Sequence, residues 1–288
     1  MIISNNSEIL DEIIPVSVVM SVYDGIELDH LNIAVNSILN QTFNRFEFII
    51  VLDGVKRNDI RLFLESLKIS DKRVRLICIP ENKGLANAMN KAIKSAMGEF
   101  IVRMDADDIS HCNRIEKLVE NMRLNNNLDI LGSFIEEFSE PNLSEVKKIV
   151  KYPIKHEDMK NYFVKRNPLA HASVIFRMRF FDKAGFYPLF SIKNEDTLLW
   201  LSGFTNGCKF ANLPDVLYSV RFTKRMGSRR IGLRKSFSDF VDRLRVIIDL
   251  KASSINVFYA IGMFIVQSLP YPIYSYIRSN LIHSHKID

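Results

Sequence analysis

At 288 residues, with 47% hydrophobic and 25% charged side chains, the chain holds enough apolar material for one large core or for one domain plus an appendage, which argues against disorder over most of its length. Its three cysteines, Cys78, Cys112 and Cys208, are far apart and form no C-x-x-C pair, which speaks against a disulfide framework or a cysteine-built zinc site and fits a reducing compartment. The net charge of +6 belongs to the tail: residues 221 to 288 carry 12 Lys and Arg against 4 Asp and Glu, a balance suited to nucleic acid, an anionic membrane or a phosphorylated substrate.

The first fourteen residues contain Glu8, Asp11 and Glu12 but no Lys or Arg ahead of the apolar run, so the charged start of a secretory signal is missing and a cytoplasmic location is expected. From Pro15 onward, short β-branched runs alternate with segments of helical period. They are Val16–Val22 then Leu28–Leu39, Phe46–Leu52 then Ile60–Leu67, Val74–Ile79 then Leu85–Ala96, and Phe100–Met104 then Arg114–Leu124. Four strand–helix units in succession predict an α/β fold with a mostly parallel sheet flanked by helices.

Ligands of such sheets bind beyond the carboxyl ends of the strands. The residues there are Ser21, Tyr23 and Asp24 after the first strand, Asp53-Gly54 after the second, and Asp105-Ala106-Asp107-Asp108 after the fourth. The third strand ends in Pro80-Glu81-Asn82-Lys83-Gly84, a turn whose amides, with the start of the next helix, suit an anion. Past Asp129 the pattern loosens into a strand, a polar excursion around Pro141–Lys151 and a segment from Asn167 to Phe176. Asn194-Glu195-Asp196 then reads as the cap and first turn of a helix running through Leu198–Leu201.

A basic loop, Arg221 to Arg234, precedes a helix to about Leu250. No charge follows between Lys251 and Arg278, a length that would permit one membrane crossing. Pro270, Pro272, Gln267 and the tyrosines favour two short helices lying on the bilayer, with Tyr271, Tyr274 and Tyr276 at headgroup level, over a helix pair packed on the sheet domain. The expected organisation is one α/β domain over 1–220, with a first half of about 15–115 and a second of about 116–220, followed by a basic loop and apolar membrane-associated tail over 221–288.

Three carboxylates within four residues, Asp105, Asp107 and Asp108, repel one another unless something positive sits among them. A divalent cation, Mn²⁺ or Mg²⁺, is the simplest answer, since hard carboxylate oxygens suit it and it keeps water and phosphate as its other ligands. The competing reading is an acidic cap for the helix starting near Asn113. Asp53 is suited to a hydrogen bond from a base or sugar edge, although Asp-Gly is also an ordinary turn.

The order Pro15-Val-Ser-Val-Val-Met-Ser-Val-Tyr23, Phe48-Ile-Ile-Val-Leu-Asp53-Gly54, Asn82-Lys-Gly84-Leu-Ala86 and Gly98-Glu-Phe-Ile-Val-Arg-Met-Asp105-Ala-Asp107-Asp108 resembles family 2 glycosyltransferases of the GT-A fold, a Rossmann-like architecture. Four motifs in register make the match specific. The resemblance implies that the strand end at Ser21 and Tyr23, together with Asp53, holds the nucleotide base. It further implies that Asp105 and Asp107 form the D-x-D pair for the ribose and for a metal bridging the donor's phosphates, with Lys83 nearby.

Inverting transfer needs a base for the acceptor hydroxyl. The resemblance places it in Asn194-Glu195-Asp196, with Asp196 the candidate and Glu195 second; both are also good first-turn helix residues. Asn167-Pro-Leu-Ala-His171-Ala-Ser173 resembles an acceptor-bordering loop of a bacterial polysaccharide subgroup, in which His171 would orient a phosphate or hydroxyl or be a structural histidine. Arg225, Arg229 and Arg230 resemble that subgroup's basic loop, suited to a donor or acceptor diphosphate.

Two departures stand out: Leu52-Asp53 replaces the two acids of many relatives, and Met89 replaces an Arg. The latter would shift anion binding to the metal, Lys83 or the Arg225–Arg230 loop.

The implied function is transfer of a hexose, galactose or glucose, from its UDP form to a sugar on a polyprenyl diphosphate at the inner membrane surface. It would form a β-linkage in O-antigen, capsule or exopolysaccharide assembly. The alternatives are a non-catalytic nucleotide-sugar binding module and a Mg²⁺-dependent phosphotransferase. The latter fits poorly, because its D-x-D would follow the first strand with Thr where Ile109 stands. Nucleic acid is not an expected partner, since aromatic residues are not interleaved with the tail's charges.

Overall fold

The computed structural model describes residues 15–139, 146–190, 194–222, 232–270, 273, 274 and 277. The first half follows the hydrophobic pattern closely: β1 (Val16–Val22), α1 (Leu28–Leu39), β2 (Phe46–Asp53), α2 (Asn58–Ser70), β3 (Val74–Ile79), α3 (Leu85–Lys94), β4 (Phe100–Met104) and α4 (Arg114–Leu124), with the two-residue β5 (Ile109–Ser110) before α4. Strand β1 pairs in parallel with β2 and with β4, and β2 with β3. Both faces of β1, β2 and β4 are covered, which is why they read as nearly continuous apolar runs, while the edge strand β3 leaves Cys78 exposed. Alternation sorts their side chains: Val16, Val18, Met20 and Val22 join α1, α2 and α4 in one core, while Val19, Ile49, Val51 and Ile101 join α3 in the other.

The second half contains β6 (Ile130–Phe138), β7 (Val146–Val150), α5 (His156–Phe163), a 3₁₀ turn (His171–Ser173), β8 (Ile175–Arg177), α6 (Arg179–Ala184), α7 (Glu195–Thr205), β9 (Phe210–Arg221), α8 (Leu233–Asp249) and α9 (Ile255–Ser268). Here the sheet turns mixed. Strand β8 enters antiparallel beside β4, β6 is antiparallel to β8, and β9 runs parallel to β6. The described strands form one sheet ordered β3-β2-β1-β4-β8-β6-β9-β5, with β7 on β6.

Strands β7 and β9 go beyond the sequence reading. In β9 the register jumps from Ser133↔Leu213 to Phe134↔Val216, so Pro214, which has no amide hydrogen to give a ladder, falls in the bulge. The strand then continues to Tyr218 and Arg221, beside the acidic segment.

Because β2 and β4 flank β1 on opposite sides, the crevice at the carboxyl ends of β1 and β4 is where this topology opens. The C-terminal helices dock on the core: Val246 of α8 enters the α3-side core, and Ile247 packs with Ala260 of α9 and with Val164. Helix α9 stops at Leu269, whose extended backbone (φ −75°, ψ 156°) is what a following proline imposes. No helix among the described residues is long and apolar enough to cross a membrane.

Candidate active site

At the end of β2, the buried Asp53 carboxylate accepts the Lys83 amide at one oxygen and the Gly84 amide at the other, both at 2.9 Å. Gly54 follows with φ +67°, and a Cβ there would lie 2.2 Å from the Asn82 nitrogen. The Asp53-Gly54 turn therefore docks directly on the 82–84 loop and fixes the entry to α3. Asp53 shapes this wall with both of its oxygens, in addition to any contact with a base. Exposed Lys83 lies on the same wall, whereas Met89 is buried in the core. Ser21 and Tyr23 are half-buried at the end of β1. Beside them, Asp24 accepts the Lys56 and Arg57 amides at 2.7 and 3.1 Å, bonds that hold its carboxyl below the usual range, the Arg57 amide contributing most.

The acidic segment sits in a cleft of about 360 Å³ lined by Arg103, Asp105, Asp107, Asp108, Leu169–Ala172 and residues of β6, β7 and β9. Positive charge is built into it. Arg103, only 3% exposed, reaches Asp105 Oδ2 at 2.6 Å, and Asp105, 34% exposed, faces the opening. Asp108 is buried and accepts the Arg221 amide at 2.8 Å, while the Arg221 guanidinium donates to the Asp107 carbonyl at 2.8 Å. A third buried guanidinium, Arg114, donates to the Arg103 and Ala172 carbonyls and lies 4.7 Å from the Tyr218 ring centroid. Burial lowers Arg114 to about 10.

None of the three acids caps α4, whose N-cap is Asn113, so the capping alternative falls. The arginines supply part of the compensation that the acid run calls for. Even so, burial and the charge of Asp105 raise the Asp107 carboxyl above its usual range, which favours a cation guest there. Among the described residues no cluster of three or more His, Cys, Asp and Glu forms a metal cage. The residues fit a Mg²⁺- or Mn²⁺-type site in which Asp107, with Asp105, supplies the protein oxygens and substrate phosphates and water the rest.

His171 borders the cleft opposite the acids, its Nε2 2.7 Å from Tyr187 Oη and its ring edge-on to Trp200. Burial, with Arg103 nearby, drives its pKa well below the ordinary value, so the imidazole is neutral. Tyr187 is locked in turn: its amide donates to Asn90 Oδ1 at 2.9 Å, and Asn90 Nδ2 donates to its carbonyl at 2.8 Å. Asn90 belongs to α3, so this exchange ties the first half of the chain to the second.

Just beyond, α7 begins at Glu195 with Asn194 as its N-cap. Asp196 Oδ1 accepts the Thr197 amide at 2.7 Å and Oδ2 accepts Asn167 Nδ2 at 3.0 Å. Burial raises both acids, Asp196 against the opposing pull of the Thr197 amide, Lys235, Arg103 and Asn167, and Glu195 with the help of Asp196. The charge of Arg103 thus acts on Glu195 and Asp196 as well as pairing with Asp105.

Asp105 is paired with the buried Arg103 guanidinium, whose charge also acts on Asp107, His171, Glu195 and Asp196, and Ser21, Tyr23, Asp53 and Lys83 lie at or just beyond the carboxyl ends of β1, β2 and β3. Arg225, Arg229 and Arg230 lie outside the described residues. Arg103, Tyr187, Tyr218 and the role of Asn167 escaped the sequence reading. Only Arg103 left a signal, as the one charge inside the apolar run Phe100–Met104.

Residues 17–185 match the family model described as Glycosyl transferase family 2. Among curated proteins, the chain is 32% identical over 227 residues to UDP-Gal:alpha-D-GlcNAc-diphosphoundecaprenol beta-1,3-galactosyltransferase of Escherichia coli, covering 77% of this chain and 80% of that one. It is 31% identical over 222 residues to the amylovoran biosynthesis glycosyltransferase AmsE of Erwinia amylovora, covering 75% and 79% of the two chains. Among solved structures, S. aureus TarS 1-349 in complex with UDP-GlcNAc superposes with a TM-score of 0.62 at 16% identity, covering 92% of this chain and 74% of that one. The mannosyltransferase PcManGT of Pyrobaculum calidifontis, in complex with GDP-Man and Mn²⁺, gives 0.61 at 15% identity, covering 93% and 79%.

Proposed function

The chain belongs to glycosyl transferase family 2 and has its GT-A fold, and on that footing we propose an inverting, metal-dependent hexosyltransferase. It moves galactose or glucose from a UDP-sugar to a sugar carried on a polyprenyl diphosphate and forms a β-bond from an α-donor. The observation that carries this reading is the cleft in which the Asp105–Asp108 segment, with Asp105 paired to Arg103, shares its walls with the 169–172 loop, whose neighbour Asn167 is bonded to Asp196. A diphosphate leaving group and a base for an incoming hydroxyl are thereby provided for in one site.

In this mechanism Ser21, Tyr23 and the Asp53-braced 82–84 wall hold the nucleotide, and Asp105 holds the ribose. Asp107, with Asp105, would hold a divalent metal, which when bound offsets the charge developing on the departing nucleoside diphosphate. Asp196 takes the proton of the acceptor hydroxyl. Its lone pairs are aimed by Asn167 and the Thr197 amide, and its raised pKa makes it a stronger base than an ordinary carboxylate. Neutral His171, backed by Tyr187, offers a ring nitrogen to an acceptor hydroxyl or phosphate oxygen. The new bond forms on the face of the sugar opposite the leaving diphosphate, so the anomeric centre inverts.

The activity for which the E. coli relative is named supports UDP-galactose and a diphospholipid-linked acceptor as the first substrates to try, and AmsE supports polysaccharide assembly as the setting. The apolar outer face of α9 supports work at the inner membrane surface, as a peripheral protein. The decisive experiment offers UDP-galactose, UDP-glucose and their N-acetyl forms with Mn²⁺ and a synthetic GlcNAc- or GalNAc-diphosphate-lipid. Product anomericity is read by NMR; an α-linked product, or no turnover with any donor, would sink the reading.

A further inference from the structure

A second cavity, of about 180 Å³, lies behind the base. Asn167 and Thr197, the two residues bonded to Asp196, form one wall; Lys165, Lys235 and Arg243 bring positive charge; Tyr259, Met263, Phe264 and Gln267 of α9 close the far side. Two acids also line it, and both are engaged: Asp239 pairs with Lys235, and Asp242 accepts Asn194 Nδ2 at 2.7 Å. That leaves Lys165, its Nζ 5.7 Å from the Tyr259 ring centroid, and Arg243, which donates to the Phe163 carbonyl, as wall cations with no ion pair among the described residues. On its outer side α9 exposes Ile255, Phe258, Ile261 and Ile265, at 65%, 71%, 40% and 55%, an apolar stripe at helical spacing.

The sequence of environments is therefore base, amide and hydroxyl wall, cations, apolar helix. A lipid-linked sugar has the same sequence: reacting hydroxyl, sugar, diphosphate, hydrocarbon chain. We propose that the α7–α8–α9 cavity is the subsite for the diphosphate of a prenyl-diphosphate-linked acceptor, with Lys165 and Arg243 gripping the phosphates and the chain leaving along α9. This rests on the transferase reading above and adds the place where the carrier is recognised. Charge-assisted bonds from a guanidinium and an ammonium suit phosphate oxygens, and the neighbouring apolar stripe accounts for a ligand with a hydrocarbon end.

The test is equilibrium binding of three probes to the full chain, farnesyl diphosphate, farnesol and inorganic pyrophosphate, with UDP binding as the donor-site control. Farnesyl diphosphate should bind at least about tenfold more tightly than either fragment, because it alone engages both cations and apolar surface, and UDP should not displace it. Lys165→Ala, at an exposed side chain that leaves the fold intact, and Arg243→Gln should each remove most of that advantage and leave UDP affinity unchanged.

Several results would overturn the assignment: farnesol binding as tightly as its diphosphate, pyrophosphate binding as tightly alone, displacement by UDP, or unchanged farnesyl diphosphate affinity in Lys165→Ala. Release of UDP from UDP-hexose in the presence of the diphosphate-lipid acceptor separates the two levels. A protein that binds the prenyl diphosphate yet releases no UDP from any donor refutes the transferase reading and leaves the cavity standing.

Discussion

Asn167 donates from Nδ2 to Asp196 Oδ2 at 3.0 Å, and its Oδ1 accepts the Thr197 hydroxyl at 3.1 Å, so one amide fixes the orientation of the acid and of its neighbour. The proposed base is thus aimed by a residue 29 positions upstream, on the loop that also carries His171.

Asp196→Asn keeps the shape of the side chain while removing the proton acceptor, with the Asn167 amide turning over so that its Oδ1 accepts from the new Nδ2. We expect transfer to fall at least about a hundredfold with UDP-sugar affinity unchanged. Single-turnover rates beside UDP titrations check this, and a near-normal rate would move the base elsewhere.

The pH profile follows from the sign of the shift. Burial raises Asp196, and the base works only when ionised, so kcat should rise with pH through a limb lying above the ordinary carboxylate range. Activity is lost as pH falls through that limb. The limb should be missing from the residual activity of Asp196→Asn; a limb retained at the same position assigns it to another group.

Asp107→Ala should abolish the Mn²⁺ dependence of UDP binding. In the unsubstituted protein, Mn²⁺ with UDP at about a hundred times Kd should add about 2.7 kcal/mol of stability, visible as a thermal shift that chelator reverses. A full shift in the variant would remove the metal from this position.

Asp53→Ala takes the acceptor from the Lys83 amide and leaves the Gly84 amide only the longer bond to Asn82 Oδ1. A loss of roughly 1–3 kcal/mol in denaturant unfolding is expected, with weaker UDP binding as the 82–84 wall loosens. Gly54→Ala should be harmful for a different reason: its φ of +67° disfavours a side chain, and the Asn82 backbone occupies the space. Wild-type stability in both variants would show that the wall is not braced here.

Phe258→Asp with Ile265→Asp tests the membrane reading on side chains that are exposed in the fold. Recovery on phosphatidylglycerol vesicles should fall at least about tenfold, given about 1.5–3 kcal/mol per apolar side chain withdrawn from water, with the melting temperature unchanged. Undiminished recovery would place the lipid contact off α9.

The first half was legible because its main elements bury apolar faces: Leu31, Ala34, Val35 and Ile38 of α1 announce a helix by spacing alone, and β1 a two-sided strand by its unbroken run. The second half was less so. Pro214 divides β9 in the sequence, yet the bulge absorbs it, and β7 is a short strand of Val-Lys-Lys-Ile-Val whose charges mimic a loop. Among site residues, the carboxylates announce themselves by clustering. Arg103 shows only as a charge inside an apolar run, and Tyr187 and Tyr218 do not show at all, because what makes them matter is a partner 16 or 113 positions away that only the fold brings near.

The acidic segment is anchored at both ends: β4 is locked in register with β1, and Ile109 and Ser110 of β5 are locked to Ser219 and Tyr218 of β9. Four residues, Asp105 to Asp108, bridge that fixed gap. Inserting or deleting one would turn the carboxylates away from the cleft or tear β5 from its partner, so variation here is restricted to exchanging side chains. Insertions should instead be tolerated in connections such as the turn from α2 into β3, at the opposite edge of the sheet, and a library of single-residue insertions scored for fold and turnover would trace that boundary.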